Sequence, residues 1–241
     1  MIGPGSHLRP WVRAAVLVAA PLVLLALFVA STYTPLFGLR TVRVEGVSVL
    51  SRDAILQRSG LGSSTNVFHL DTGRIDAALT TDPWVAHAEV ERDLPGTVVI
   101  RITERVPVAQ TSEGDTRVAV ATDGVLLPGA SPGGLPEIRA ALGDLSDADR
   151  TAAAQALAAM TPVLRARVAA VVVGVGNDLR VDLAGGLSVE YGQGGQADAK
   201  AAALRSVLQW AARERVGLQA VDVSVPGAPS AILADGSSFP G

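Results

Sequence analysis

The sequence predicts an α+β protein: one membrane-spanning helix near the N-terminus, a small β-α-α-β-β domain, and a second mixed α/β domain on an antiparallel sheet. Three observations predict it. An uncharged apolar run fills Ala14 to Thr32. From Thr41 to Leu233, short segments alternate apolar and polar residues with the period of half-buried strands. Between them lie amphipathic stretches opened by Ser or Asp and closed by Gly or Pro, the residues that start and stop helices.

Composition narrows the function classes. The chain has 241 residues, a formal net charge of −3 and no cysteine. A charge that weak gives no reason to expect a nucleic-acid partner. Without cysteine there are no disulfides, thiolate zinc sites or cysteine nucleophiles. The mean hydropathy of +0.36 is high for a soluble chain. The apolar run and a general density of Ala and Val account for it. Arg carries almost all the basic charge, with Lys200 the single lysine, a bias that suggests a GC-rich genome.

The run AAVLVAAPLVLLALFVAST matches the roughly 20 apolar residues that a hydrocarbon core of about 30 Å requires. Pro21 inside it is tolerated better in a bilayer than in water. Arg9 and Arg13 precede the run, with Trp11 between them, and Tyr33 follows it. Positive charge stays inside, so residues 1–13 form a short cytoplasmic tail, residues 14–33 the membrane helix, and the remainder lies outside the cytoplasm. That is a single-pass type II arrangement. The main rival, a cleaved signal peptide, needs a shorter apolar core and a small-x-small site, for which Ala30-Ser31-Thr32 is a weak match. A buried soluble helix would show a polar face. Met1 to His7 reads as a truncated start, so a longer native tail stays open.

In the first domain, Thr41 to Val47 alternates as a strand ending in a turn. Ser51 caps a short helix, with Asp53 in its first turn, Ile55 and Leu56 inward, and Gly60 beyond its end. A second helix opens near Asp71 or Thr72, buries Ile75, Ala78 and Leu79, and is stopped by Pro83. Ala88 and Val90 alternate with Glu89 and Glu91 in a second strand. After a turn at Leu94-Pro95-Gly96, Val98, Ile100 and Ile102 form the inward face of a third. Val99 falls on the opposite face and is expected to matter clearly less to stability.

This β-α-α-β-β unit directly after a single membrane helix resembles a POTRA domain, and the run Pro83 to Ala109 closely resembles the FtsQ/DivIB division proteins. The pattern W-V-x-x-A-x-V-x-R-x-x-P is filled by Trp84, Val85, Ala88, Val90, Arg92 and Pro95. After alternating apolar residues, E-R-x-P-x-A is filled by Glu104, Arg105, Pro107 and Ala109. Adjacent strand residues face opposite ways, so Glu104 and Arg105 are read as a structural hinge and not a catalytic pair. Trp84 is expected to pack against the sheet.

The second domain begins with two short strands, Arg117 to Ala121 and Gly124 to Leu127, around the hairpin turn Thr122-Asp123-Gly124. A Gly/Pro-rich loop follows, from Pro128 to Pro136. Ser146 and Asp149 have capping-box spacing and start an Ala-rich helix through Met160. Strands are expected at Val168 to Val175, around Leu179, Val181 and Leu183, and at Leu187 to Tyr191. A helix from about Asp198 to Arg213 places Leu204, Val207, Leu208 and Ala211 at i, i+3, i+4 and i+7, with Gly217 past its end. The last strands are Ala220 to Val225 and Ser230 to Leu233. Asp123 to Pro128, Leu135-Pro136, Val189-Glu190-Tyr191-Gly192, Ala199-Lys200 and Val221 to Gly227 each resemble pieces of the FtsQ/DivIB β domain. The resemblance implies a POTRA domain at 36–108, a β domain at 109–233 and a tail at 234–241, in an actinobacterial member of the family.

No catalytic signature stands out. His7, His69 and His87 lack partners at metal-binding spacing. There is no G-x-S-x-G elbow. Gly174-Val175-Gly176 and Gly192 to Gly195 complete no phosphate-binding motif and read as turns. Asp147 and Asp149 read as helix-start residues.

No enzymatic activity, cofactor or metal is expected. The resemblance implies a divisome scaffold at the septum of the bacterial cell membrane. It would join FtsB-like and FtsL-like proteins, help control septal peptidoglycan synthesis and meet a septal peptidoglycan synthase. It also implies the contact residues Val223, Ser224, Val225, Gly227 and Ala228, on a terminal edge strand completed by a partner strand. In that arrangement Val223 and Val225 share a face, and Pro226 and Pro229 limit the ladder. A POTRA-bearing transport or chaperone protein and a membrane-anchored hydrolase are the alternatives.

Overall fold

The computed structural model describes residues 10–238, with side chains from Leu17 onward, and the chain divides between Glu104 and Arg105 into two compact units. Helix α1 (Pro10–Thr32) contains Pro21. Its apolar side chains are exposed all round: Leu17, Val18, Leu22, Leu24, Leu27 and Phe28 are each at least 60% accessible. Among the described residues no helix is long and apolar enough to cross a membrane. Residues 1–9, most of the expected cytoplasmic tail, lie outside the described residues.

The C-terminal end of α1 is tied to the first unit. Thr32 is buried, its hydroxyl lies 3.0 Å from His69 Nε2, and its carbonyl accepts from Asn66 Nδ2 at 2.8 Å. Tyr33 stacks on the His69 ring at 4.3 Å. A 3-10 turn at Pro35–Phe37 then leads into the sheet.

The first unit holds β1 (Thr41–Glu45), α2 (Arg52–Ser59), α3 (Thr72–Leu79), β2 (Val85–Asp93) and β3 (Thr97–Glu104). The strand order is β1-β3-β2, with β1 parallel and β2 antiparallel to the central β3. Both helices start as the sequence specifies: Ser51 accepts from Ala54 N–H and Asp71 from Arg74 N–H, each satisfying an orphan donor. Gly60 ends α2 in the left-handed conformation. Ile55, Ile75 and Leu79 pack on Val98, Ile100 and Ile102. Gly46, at φ +81, lies so close to the backbone that a Cβ there would stand 2.0 Å from the Ile102 carbonyl oxygen.

Val99 departs from the expectation of an outward, lightly loaded position, because it is only 5% accessible. On that face its register neighbours are Arg43 on β1 and Glu91 on β2, residues whose aliphatic stems can cover an apolar side chain. Next to them Arg101 pairs with Glu91 at 2.9 Å, Glu45 at 3.5 Å and Glu89 at 3.6 Å.

The second unit is a nine-stranded sheet with its helices inserted between strands. In chain order it comprises β4 (Pro107–Glu113), β5 (Thr116–Ala121), β6 (Leu126–Leu127), β7 (Glu137–Ala140), α4 (Asp147–Ala159), α5 (Pro162–Arg165), β8 (Val168–Val173), β9 (Asp178–Leu183), β10 (Ser188–Gln193), α6 (Ala197–Glu214), β11 (Leu218–Asp222) and β12 (Ser230–Leu233). The order across the sheet is β12-β11-β10-β9-β8-β7-β4-β5-β6. The sheet is mixed and not antiparallel throughout: β4/β7, β7/β8 and β10/β11 run parallel. A parallel return needs a long crossover, and α4 with α5, and α6, supply two of them. Ser146 and Asp149 form the expected capping box of α4. Leu157 from α4 and Leu204 and Val207 from α6 pack with Val171, Val181, Val189 and Val221 of the sheet in one core.

Candidate partner-binding site

The expected contact segment does not form a terminal edge strand. β11 ends at Asp222 instead of Val225, and it is paired on both sides, with β10 through Val189↔Val221 and with β12 through Val221↔Ala231. The cause is local: the Asp222 carboxylate accepts from Ser224 N–H at 2.8 Å, turning the backbone out of the ladder. Val223 N–H still reaches Glu190 O at 2.9 Å, and the Val223 side chain is fully buried. Val225 is 61% accessible. The two valines therefore do not share a face. Ser224 is half-buried, while Gly227 and Ala228 are exposed in a turn closed by Ala228 N–H to Val225 O at 3.0 Å.

The edge on this side of the sheet belongs to β12. Ser230 and Ile232 are exposed on it, and Ala231 and Leu233 face the core. Ala234 N–H bonds inward to Gly217 O at 2.9 Å, so by alternation Leu233 N–H points outward. It meets Ser237 O at 2.8 Å, and Ile232 bridges Ser238, so the chain folds back along this end of the strand. Val225, Gly227 and Ala228 thus lie just before β12, and the exposed surface combines that turn with the strand's outer edge.

A buried support holds the turn. Gly192, at φ +70 in the bulge of β10, lets Ser224 approach so closely that a Cβ would lie 2.7 Å from Ser224 Cβ. Lys200, only 5% accessible, reaches from α6 to donate to Gln193 O at 2.6 Å, with Nζ 5.6 Å from the Tyr191 ring centroid. Burial pulls its ammonium below the usual lysine range, while the charge of Asp178 opposes the shift. The Tyr191 hydroxyl donates to Ala197 O at 2.9 Å, and burial, helped by the Asp198 charge, pushes its ionisation well above the usual range. The Tyr191-Gly192 and Ala199-Lys200 pieces of the sequence meet here. Lone motifs in the sequence gave no sign of that meeting.

Glu104 and Arg105 serve different units, as opposite strand faces require. Glu104 accepts from the Ser48 hydroxyl at 2.6 Å and from the N–H groups of Ser48, Val49 and Leu50 at 2.8–3.1 Å. Arg105 pairs with Asp123 at 2.7 Å. The sequence reading had no partner for either. No group of three metal-ligating side chains occurs among the described residues. His7 lies outside them. Gly174 and Gly176 sit in the β8–β9 turn, closed by Gly174 N–H to Asp178 O. Trp84 is half-buried after the Asp82-Pro83 corner, where Asp82 accepts from Trp84 N–H and pairs with Arg58.

The family model described as "POTRA domain, FtsQ-type" matches residues 37–105. The model described as "Cell division protein FtsQ/DivIB, C-terminal" matches residues 108–224. Cell division protein FtsQ of Syntrophotalea carbinolica is 37% identical over 73 residues, 30% of this chain and 26% of that protein. Its counterpart in Mycolicibacterium smegmatis, an actinobacterium, is 27% identical over 205 residues, 85% of this chain and 60% of that protein. The alignments thus span from about a quarter to three fifths of these relatives' lengths. Among solved structures, the major extracytoplasmic domain of DivIB from Geobacillus stearothermophilus aligns at 14% identity with a TM-score of 0.33, over 46% of this chain and 93% of that one.

Proposed function

We propose that this chain, which belongs to the FtsQ/DivIB family of cell division proteins, is a membrane-anchored scaffold of the septal divisome that works by binding and not by catalysis. Through α1 the anchor passes the cell membrane once, with the N-terminus in the cytoplasm and both units outside. The uncharged run and the arginines before it support that topology. The outer units gather FtsB-like and FtsL-like proteins and through them bear on septal peptidoglycan synthesis.

The observation that carries the binding reading is the end of the nine-stranded sheet. There β12 borders solvent beside the exposed Val225, Gly227 and Ala228. A partner strand added at the start of β12, ahead of the fold-back at Ile232 and Leu233, gains main-chain hydrogen bonds, and Val225 supplies an apolar contact next to them. Titration of the chain with the extracytoplasmic segment of its FtsB-like partner tests this. Val225→Glu places a charge on that contact and weakens the complex by about 2 kcal/mol or more. Its melting curve stays near that of the parent, because Val225 is exposed. Unchanged affinity for the variant would remove Val225 from the interface. Arg213→Glu, on α6, is the control.

A further inference from the structure

We propose that the split between β4 and β7 is a slot that takes a basic, extended segment of a partner protein as an inserted strand, independently of the β12 edge. The two strands share one register pair, Gln110↔Glu137. There Gln110 N–H donates to Pro136 O at 2.9 Å and its side-chain Nε2 to Leu135 O at 2.7 Å. Beyond that point β4 continues through Thr111, Ser112 and Glu113, paired with β5 only. β7 continues through Ile138, Arg139 and Ala140, paired with β8 only. The sheet opens like a V.

Alternation fixes which main-chain groups line the V. Gln110 N–H points at β7, so the N–H and C=O of Ser112 point the same way. Ala141 N–H bonds to Val173 O on β8 at 2.8 Å, so Ala140 N–H points toward β4. These groups face each other across a cavity of about 470 Å³, bounded at the start of α4 by Leu145 and Arg150. Three residues of strand span roughly 10 Å, so a short extended segment can pair with both walls at once.

Charge selects the segment. Glu113, Glu137 and Asp144 line the cavity, and among the described residues none of them has a salt bridge. Of the two arginines on its walls, Arg150 pairs with Asp147, and Arg139 reaches Asp182 at 3.6 Å, a carboxylate it shares with Arg180 at 3.2 Å. Arg117 stands one strand away, across from Ser112 on β5. The walls thus carry three acidic side chains against two arginines, a net negative charge that Lys or Arg side chains complement. The Arg150 Nε is buried with no acceptor, and a carbonyl of the inserted segment can supply one.

The probe is an acetylated, amidated Lys-Val-Lys-Val-Lys peptide, with Glu-Val-Glu-Val-Glu as its counterpart, added to the whole chain in detergent micelles up to about 1 mM. Hydrogen exchange read residue by residue is expected to slow about fivefold or more at Ser112 and Ala140 with the lysine peptide and not with the glutamate one. Exchange on β12 should not change. Glu137→Arg with Asp144→Arg, both outside the buried core, should weaken lysine-peptide binding roughly tenfold, whereas Val225→Glu should leave it unchanged. The slot is overturned by the absence of binding, by equal protection from both peptides, by protection on β12 instead, or by charge reversal without effect. It is equally overturned if Ser112 and Ala140 become protected without peptide as the chain is concentrated, which would make the occupant a second copy.

Discussion

Replacing Glu104 by Ala should loosen the loop before α2 and cost the first unit roughly 2 kcal/mol. The carboxylate receives the Ser48 hydroxyl and three successive N–H groups, those of Ser48, Val49 and Leu50. Ser48 and Val49 are exposed, so water replaces much of what they lose. The part-buried Leu50 N–H at 2.8 Å is the donor left without an acceptor, and it sets the magnitude. Urea unfolding gives the loss, and hydrogen exchange over residues 46–59 shows where it falls. Burial would raise the Glu104 carboxyl, but the Ser48 hydroxyl and the Leu50, Val49 and Ser48 N–H groups together outweigh it and hold the carboxyl below its ordinary value of about 4.5. The folded state therefore binds this proton less readily than the unfolded state. The stabilisation is fully present above the ordinary value and is lost as pH falls through the lowered one. The parent's advantage over Glu104→Gln should shrink across that acidic window. An advantage that grew on acidification, or exchange in the loop unchanged by Glu104→Ala, would refute the capping role.

Ile100→Ala should cost about 2–5 kcal/mol in urea unfolding, and Val99→Ala about 1–2, because Val99 is buried too but loses less volume. A near-zero cost for Val99→Ala would mean that its charged neighbours do not shield it. Gly192→Ala combines a left-handed backbone with a contact 2.7 Å from Ser224 Cβ. It should destabilise the second unit by roughly 2 kcal/mol or more and weaken partner binding, read by the melting curve and by titration with the FtsB-like segment. Full stability would show that the β10 bulge does not hold the turn.

Much of the fold was legible because its signals are local. Ser51, Asp71 and Ser146 declare their helices through side chains that reach only three residues ahead. The inward triad Val98, Ile100 and Ile102 needs nothing beyond alternation. β4 and β7 escaped notice for the opposite reason. PVAQTSE carries three polar residues in its second half, and EIRA is four residues long, too short to show a period. Their place in the sheet depends on pairings made far along the chain. The resemblance places the contact segment on a strand end, yet the Asp222 side chain interrupts the ladder after β11 and sends Val223 inward. Glu104 was legible as part of a motif but not as a cap, since its donors lie 54 to 56 residues earlier.

The measurement that tests the scaffold account most directly is site-specific photo-crosslinking in dividing cells of the source bacterium. A photoreactive residue is placed at Val225, Ala228 or Ile232, all exposed at the β12 end of the sheet, or at Arg213 on α6 as the comparison. The account predicts that the first three positions capture an FtsB-like membrane protein at the septum and that Arg213 does not. Capture of that partner from Arg213 with none from the β12 end would contradict the account, as would its absence from all four.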